Sequence, residues 1–142
     1  MAERTLEGAS IVVAGATGGI GRHLAHHLAQ RGAHLTLTAR DPSALVAIGI
    51  DATLVPAGMV AYAASKAALT AADRALAREL RVAGTGVTDA RPPHTETGLA
   101  DRPIAGTAPR LRPGLDPDAV ARRIIAGIAA GEREIPADAF GV

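Results

Sequence analysis

Apolar and polar positions follow two rhythms along this chain, and the switches between them mark its elements. Residues 10–14 (Ser-Ile-Val-Val-Ala) are a short apolar run with β-branched side chains, the pattern of a strand buried on both faces. A glycine-rich turn, Gly15-Ala-Thr-Gly-Gly-Ile-Gly21, follows at once. Ile20, Leu24 and Leu28 then recur every four residues, with Ala25 and Ala29 beside them, which predicts an amphipathic helix ending at Gly32. Residues 34–38 predict a second strand. Asp41-Pro42 predicts the start of a short helical segment that runs through Ala47 and closes at Gly49, and residues 52–56 predict a third strand.

The longest helix is expected over residues 61–82, an Ala- and Leu-rich stretch without Gly or Pro. Residues 86–90 predict a weaker fourth strand. Residues 91–115, rich in Pro, Gly and Thr, read as a long loop of the kind that carries function in a compact domain. Asp116 as N-cap, Pro117 at the first helical position and Asp118 in the first turn predict a last helix that ends at Gly131. Residues 133–136 suggest a short edge strand. No repeat or linker divides the sequence, so 1–142 is expected to form a single domain. The alternation of strands and helices predicts an α/β fold, a small parallel sheet of about four to five strands with helices on both faces. Such sheets bind ligands at the carboxyl ends of their strands, where the strand order reverses.

Composition narrows the picture. Apolar residues make up 48% and charged residues 20%, as in a soluble globular protein. The formal net charge of +1 gives no electrostatic reason for a nucleic-acid or membrane-surface partner. Cysteine is absent, which excludes disulfides and thiolate metal sites and fits a reducing compartment. No apolar run has the length of a membrane span and no signal-peptide pattern opens the chain, so a cytoplasmic protein is expected.

Chemistry enters at the glycine turn. A helix N-terminus offers unpaired N–H groups and the positive end of its dipole to a phosphate, and glycines let the backbone turn tightly and approach it closely. The turn follows a predicted strand and opens a predicted helix, the context that nucleotide binding requires. Tyr62 and Lys66 are the only tyrosine and the only lysine, four residues apart and so on one helix face. A neighbouring ammonium favours phenolate and lowers the pKa of a phenol, which would fit Tyr62 for acid–base work. His23 and His27 are also four apart, but no third metal ligand is evident, so no metal is expected and both read as solvated. Arg122 and Arg123 likewise read as a solvated face.

Taken together these residues resemble the short-chain dehydrogenase/reductase family. Gly-x-x-x-Gly-x-Gly at Gly15, Gly19 and Gly21 has the form of its glycine motif, Tyr62-Ala-Ala-Ser-Lys66 matches its Tyr-x-x-x-Lys signature, and residues 91–97 look like the loop after its sixth strand. The resemblance implies a Rossmann-type fold and hydride transfer between NADP(H) and a carbonyl or alcohol substrate. Gly15, Thr17, Gly19, Ile20, Gly21, Arg40, Lys66, Pro92 and Thr97 would hold the cofactor. Tyr62 would act as acid–base and Lys66 as its partner and as a ligand of the nicotinamide ribose. Thr38-Ala39-Arg40 stands where a carboxylate would select NAD, and an arginine there favours the 2′-phosphate of NADP. Pro93 replaces the glycine of the family loop.

The family carries a long segment between its third strand and the tyrosine, with an Asn-containing strand and a serine-bearing strand. This chain lacks it. No asparagine occurs, and the position thirteen before Tyr62, where the serine is expected, is Gly49. Two arrangements follow: strand order 3-2-1-4 with the edge strand fifth, which would start Tyr62 on the adenine side, or a helix in its family position with a second chain covering the gap. A homo-oligomer is expected. The alternative to an active dehydrogenase is a shortened, catalytically silent dinucleotide-binding module.

Overall fold

The structure is a computed structural model, and it describes residues 5–13, 19–36, 44–49, 55, 57–103 and 106–141. Strand β1 (Ser10–Val13) leads into helix α1 (Gly19–Gln30) and strand β2 (His34–Thr36). Strand β3 (Ala44–Ile48), helix α2 (Val60–Leu80) and strand β4 (Gly86–Ala90) follow, and helix α3 (Pro117–Ala130) and strand β5 (Glu134–Ile135) complete the order. The described strands form one sheet in the order β2-β1-β3-β4-β5, with every neighbour pair parallel. This is the α/β architecture that the alternation of elements predicts.

Two expectations are overturned. Residues 44–47 are not helical: they belong to β3, which pairs with β1 through Val12↔Leu45 and with β4 from Ala44↔Gly86 to Ile48↔Ala90. A continuous apolar run such as Ala-Leu-Val-Ala-Ile suits a central parallel strand, and pairing on both edges outweighs the local helix-start signal. The third strand expected over residues 52–56 lies outside the described residues except for Val55, which is in no strand. The order 3-2-1-4 is therefore replaced. Strand β3 fills the position between β1 and β4, and no second chain is needed to close the sheet there.

The core lies between one face of the sheet and helices α1 and α3. Ile11 and Val13 of β1, Leu24 and Leu28 of α1, Ile124 of α3 and Ile135 of β5 are all buried within it. Helix α3 starts as its sequence dictates: the Asp116 side chain accepts from Ala119 N at 2.8 Å, and the N–H of Gly131 closes the far end on Gly127 O and Ile128 O. Helix α2 covers the opposite face over β4. Alternation along β4 turns Thr88 and Ala90 toward the core and Val87 and Asp89 toward α2. Asp73 is the one fully buried residue of the 21-residue α2. Among the described residues no helix is long and apolar enough to cross a membrane.

The described residues of 91–115 form no helix or strand, and the segment is tied at its neck. Thr95 bridges Leu115; Glu96 N donates to Leu115 O at 2.9 Å, Leu115 N to His94 O at 2.8 Å, and Gly114 N to the Glu96 carboxylate at 2.6 Å.

Candidate active site

The strand order reverses between β2-β1 and β1-β3, so the crevice for a ligand lies at the carboxyl ends of β1 and β3. Helix α1 begins there at Gly19, with no acidic residue in its first turn to oppose a phosphate. The loop after β4 comes back to the same point. A Cβ placed on Gly19 would lie 2.5 Å from Thr97 Cγ2 and 3.2 Å from Thr97 Cα, so only glycine permits this approach. Gly19 thus meets Thr97, with Ile20 and Gly21 next to it in the first turn of α1, and Pro92 is buried at the loop's start. A glycine-started helix without an acid in its first turn, with a threonine against it, fits a dinucleotide's phosphates. Gly15, Thr17 and Arg40 lie outside the described residues.

Tyr62 and Lys66 share the half-buried face of α2. Lys66 Nζ donates to Ile48 O, at the end of β3, at 3.2 Å and sits 5.8 Å from the Tyr62 ring centroid. This anchors the pair at the carboxyl edge beside β3, on the side of β1 away from β2, which corrects the adenine-side start that order 3-2-1-4 implied. Burial pushes the Tyr62 phenol above its usual range. That is opposite to the lowering expected from a nearby ammonium, because desolvation disfavours phenolate.

Gly49, thirteen before Tyr62, is buried just beyond β3 and donates to Ala90 O at 2.7 Å. A Cβ built on it would face Arg91 Cγ and Asp89 Oδ1, each at 3.2 Å, and Thr70 Oγ1 at 3.6 Å. Thr70 stands two turns along α2 from Tyr62, about 12 Å along the axis. A Cβ at this position therefore meets α2 beside Thr70, with no Tyr62 atom among its nearest neighbours.

The face of α2 that bears Tyr62 and Lys66 continues through Thr70 to Asp73, at spacings of four, four and three. Sequence reasoning passed over Asp73 although this period was visible. Asp73 and Asp89 are buried together between α2 and β4. Burial, and after it the charge of Asp89, raises Asp73 to about 6. Asp89 is also raised, mainly by burial and against the pull of Arg91, whose Nε lies 3.4 Å from its carboxylate. Arg91 donates to Glu134 at 2.5 Å, and Arg74 engages both oxygens of the same carboxylate at 3.2 and 3.3 Å. Arg74, the first cause, and Arg91 hold Glu134 below its usual range.

A folded-state pKa above the unfolded one means that the folded chain binds the extra proton. The stability linked to Asp73 is therefore full below about pH 4 and is lost as pH rises through about 6. Asp73→Asn removes the cost of that charge. Thermal melts should show the variant raised at pH 7 by about 1–2 kcal/mol, or a few degrees, and its pH dependence flattened between about pH 4 and 6. A variant that melts lower at pH 7 would contradict this.

The histidines and arginines of the other face are also better engaged than expected. Asp118 on α3 joins His23 and His27 on α1: His27 Nε2 donates to Asp118 Oδ1 at 2.5 Å and His23 Nδ1 lies 3.4 Å from it. Arg122 pairs with the same carboxylate. Arg123 is half-buried and donates to Ala139 O and to both oxygens of Glu132. Among the described residues no group of three or more His, Cys, Asp or Glu side chains could hold a metal ion.

Comparison with known proteins agrees with this geometry. The sequence pattern of the KR domain matches residues 9–91, more than half of the chain. The chain belongs to this KR family, which is of the short-chain dehydrogenase/reductase type. Among solved structures it is similar to a short-chain dehydrogenase from Sphingobium yanoikuyae in complex with NADPH, with TM-score 0.73 and 17% identity over 90% of this chain and 87% of that one. A short-chain dehydrogenase from Burkholderia cenocepacia in complex with NADP gives TM-score 0.72 and 16% identity over 94% and 89%. One from Streptomyces avermitilis gives TM-score 0.66 and 15% identity over 92% and 88%. At these identities the likeness speaks for the fold.

Proposed function

We propose that this chain is an NADP(H)-dependent oxidoreductase acting on a small carbonyl or alcohol, with Tyr62 as acid–base and Lys66 as its electrostatic partner. KR-family membership supports an NAD(P)-dependent oxidoreductase. The observation that carries the finer reading is the Tyr62–Lys66 pair held at the carboxyl edge by the bond from Lys66 to Ile48 O. The choice of NADP rests on Arg40 and on the NADPH and NADP bound by similar structures. Gly19, Ile20, Gly21, Thr97 and Lys66 would hold the dinucleotide, together with Gly15, Thr17, Arg40 and Pro92. When bound, it supplies the hydride chemistry. The chain supplies a phenol that gives its proton to the carbonyl oxygen in reduction and recovers it in oxidation, and an ammonium that keeps positive charge beside the ring.

The raised Tyr62 fixes the direction of the pH dependence. Reduction uses the protonated phenol and should be flat from about pH 6 to 9, whereas oxidation uses phenolate and should rise about tenfold per pH unit over that range. Initial rates in both directions check it; an oxidation rate independent of pH would remove Tyr62 from the step.

Gly49 favours a second reading, the silent module. It leaves no hydroxyl at the family's serine position, and that position faces Thr70 instead of Tyr62. Fluorescence titration with NADPH and NADH, followed by turnover with a panel of carbonyl compounds, separates the two. Binding with Tyr62-dependent NADPH oxidation supports the enzyme. Binding without turnover supports the module, and no binding of either nucleotide overturns both.

A further inference from the structure

Helix α2 is 21 residues long, yet the one residue it buries fully is an aspartate. Asp73 is 4% exposed, and its charge is felt against that of Asp89 on β4, which is 2% exposed. Burying a carboxylate is costly unless a cation answers it, so an apolar side chain is the ordinary choice for such an anchor. Here the cations are too few. Arg74 of α2 and Arg91 just after β4 stand among three carboxylates, those of Asp73, Asp89 and Glu134 on β5. Both arginines engage Glu134, and Arg91 Nε lies 3.4 Å from Asp89. Asp73 is left without an ion pair among the described residues.

Other charged groups do not change this balance much. Arg78 on α2, Arg81 just after it and Arg133 before β5 border the adjoining groove, but all three are exposed and solvent screens them. Thr70, one turn before Asp73, stands beside Asp89 and carries no charge. The five buried and half-buried groups are therefore neutral together only with one extra proton. Two like carboxylates buried side by side take up such a proton between them. Without it, a net negative charge sits at the single deep anchor of α2. The same helix face carries Lys66 and Tyr62, so whatever loosens that anchor acts on the element that positions them.

We propose that Asp73 and Asp89 form a proton-operated latch between α2 and β4, closed while the pair holds a shared proton and released into local opening of α2 when that proton leaves. The sign follows from the raised Asp73, which stands at about 6 in the folded chain. An unfolded aspartate titrates near about 3.9, so the latch is full below about pH 4 and is lost as pH rises through about 6. It sets how often α2 opens, and leaves the closed position of Tyr62 and Lys66 as it is. A closed majority therefore keeps the reduction rate flat at higher pH. The value of the latch as regulation rests on the function proposed for Tyr62 and Lys66; the latch itself does not.

Hydrogen–deuterium exchange of the intact chain without nucleotide tests this, read as protection factors that remove the intrinsic pH dependence of exchange. At pH 7.5 the amides from Lys66 to Asp73 should exchange at least tenfold faster than those of β1 and the core of α3, which marks a separate opening. At pH 5.0 their protection should rise about tenfold. Asp73→Asn places a neutral amide of the same shape at the anchor, so α2 should stay protected at pH 7.5 and the step between the two pH values should vanish. Asp89→Asn should abolish the step as well, with cooperative melts showing each variant folded. Exchange of α2 only in concert with β1 and α3 overturns the proposal. So does a parent chain without the pH step, or a step that survives in either folded variant. Kinetics of Tyr62→Phe test the enzyme reading separately, so either can fail alone.

Discussion

Replacing Tyr62 with phenylalanine should lower NADPH-dependent carbonyl reduction by about 10²–10⁴-fold while leaving the affinity for NADPH within about twofold. The ring remains, so its contact with the Lys66 ammonium and the packing of α2 are retained. Only the phenolic hydroxyl is lost, and with it the group assigned to protonate a substrate oxygen. Steady-state rates beside a nucleotide titration separate the two quantities. Equal rates for Tyr62→Phe and the parent would sink the assigned role even if turnover were rapid. A fall in rate accompanied by an equal loss of NADPH affinity would place Tyr62 in binding.

Gly19→Ala should act on binding instead of chemistry. The new Cβ would occupy the space of Thr97, and the overlap includes Thr97 Cα, so rotating a side chain does not relieve it. Either the first turn of α1 or the loop after β4 has to shift. The expected cost is about 1–3 kcal/mol of stability, typical of overpacking. NADPH affinity should fall tenfold or more, because the N–H groups at the start of α1 no longer stand where phosphates would meet them. Thermal melts and fluorescence titration measure both effects. Unchanged NADPH affinity would show that the contact between Gly19 and Thr97 has no part in holding the cofactor.

Much of the fold could be read from local signals. Helix α3 was legible because Asp116, Pro117 and Gly131 carry its caps in the sequence itself, and α1 because Leu24 and Leu28 keep its period. Strand β3 was not. A five-residue apolar run suits a buried strand or a helix equally well, and the choice was made by pairing with β1 and β4, from residues up to some forty positions away. The site divides in the same way. Tyr62 and Lys66 were visible as a spacing, and Asp73 was available on the same period. The union of Asp118 with His23 and His27 spans about ninety residues and exists only once α1 packs on α3. Desolvation of the phenol was invisible too, since burial is a property of the packed chain.

The tied neck of the loop after β4 makes its length a free variable. Hydrogen bonds between His94, Glu96, Gly114 and Leu115 close the ring of chain before it rejoins the sheet, so a change of length inside the ring is expected to leave β4 and α3 in place. Closing a longer ring costs only about 0.6 kcal/mol of extra entropy per doubling. Segments of different size and polarity spliced in between Thr97 and Pro113 should therefore leave the strand ends, α1 and the capped start of α3 in their positions.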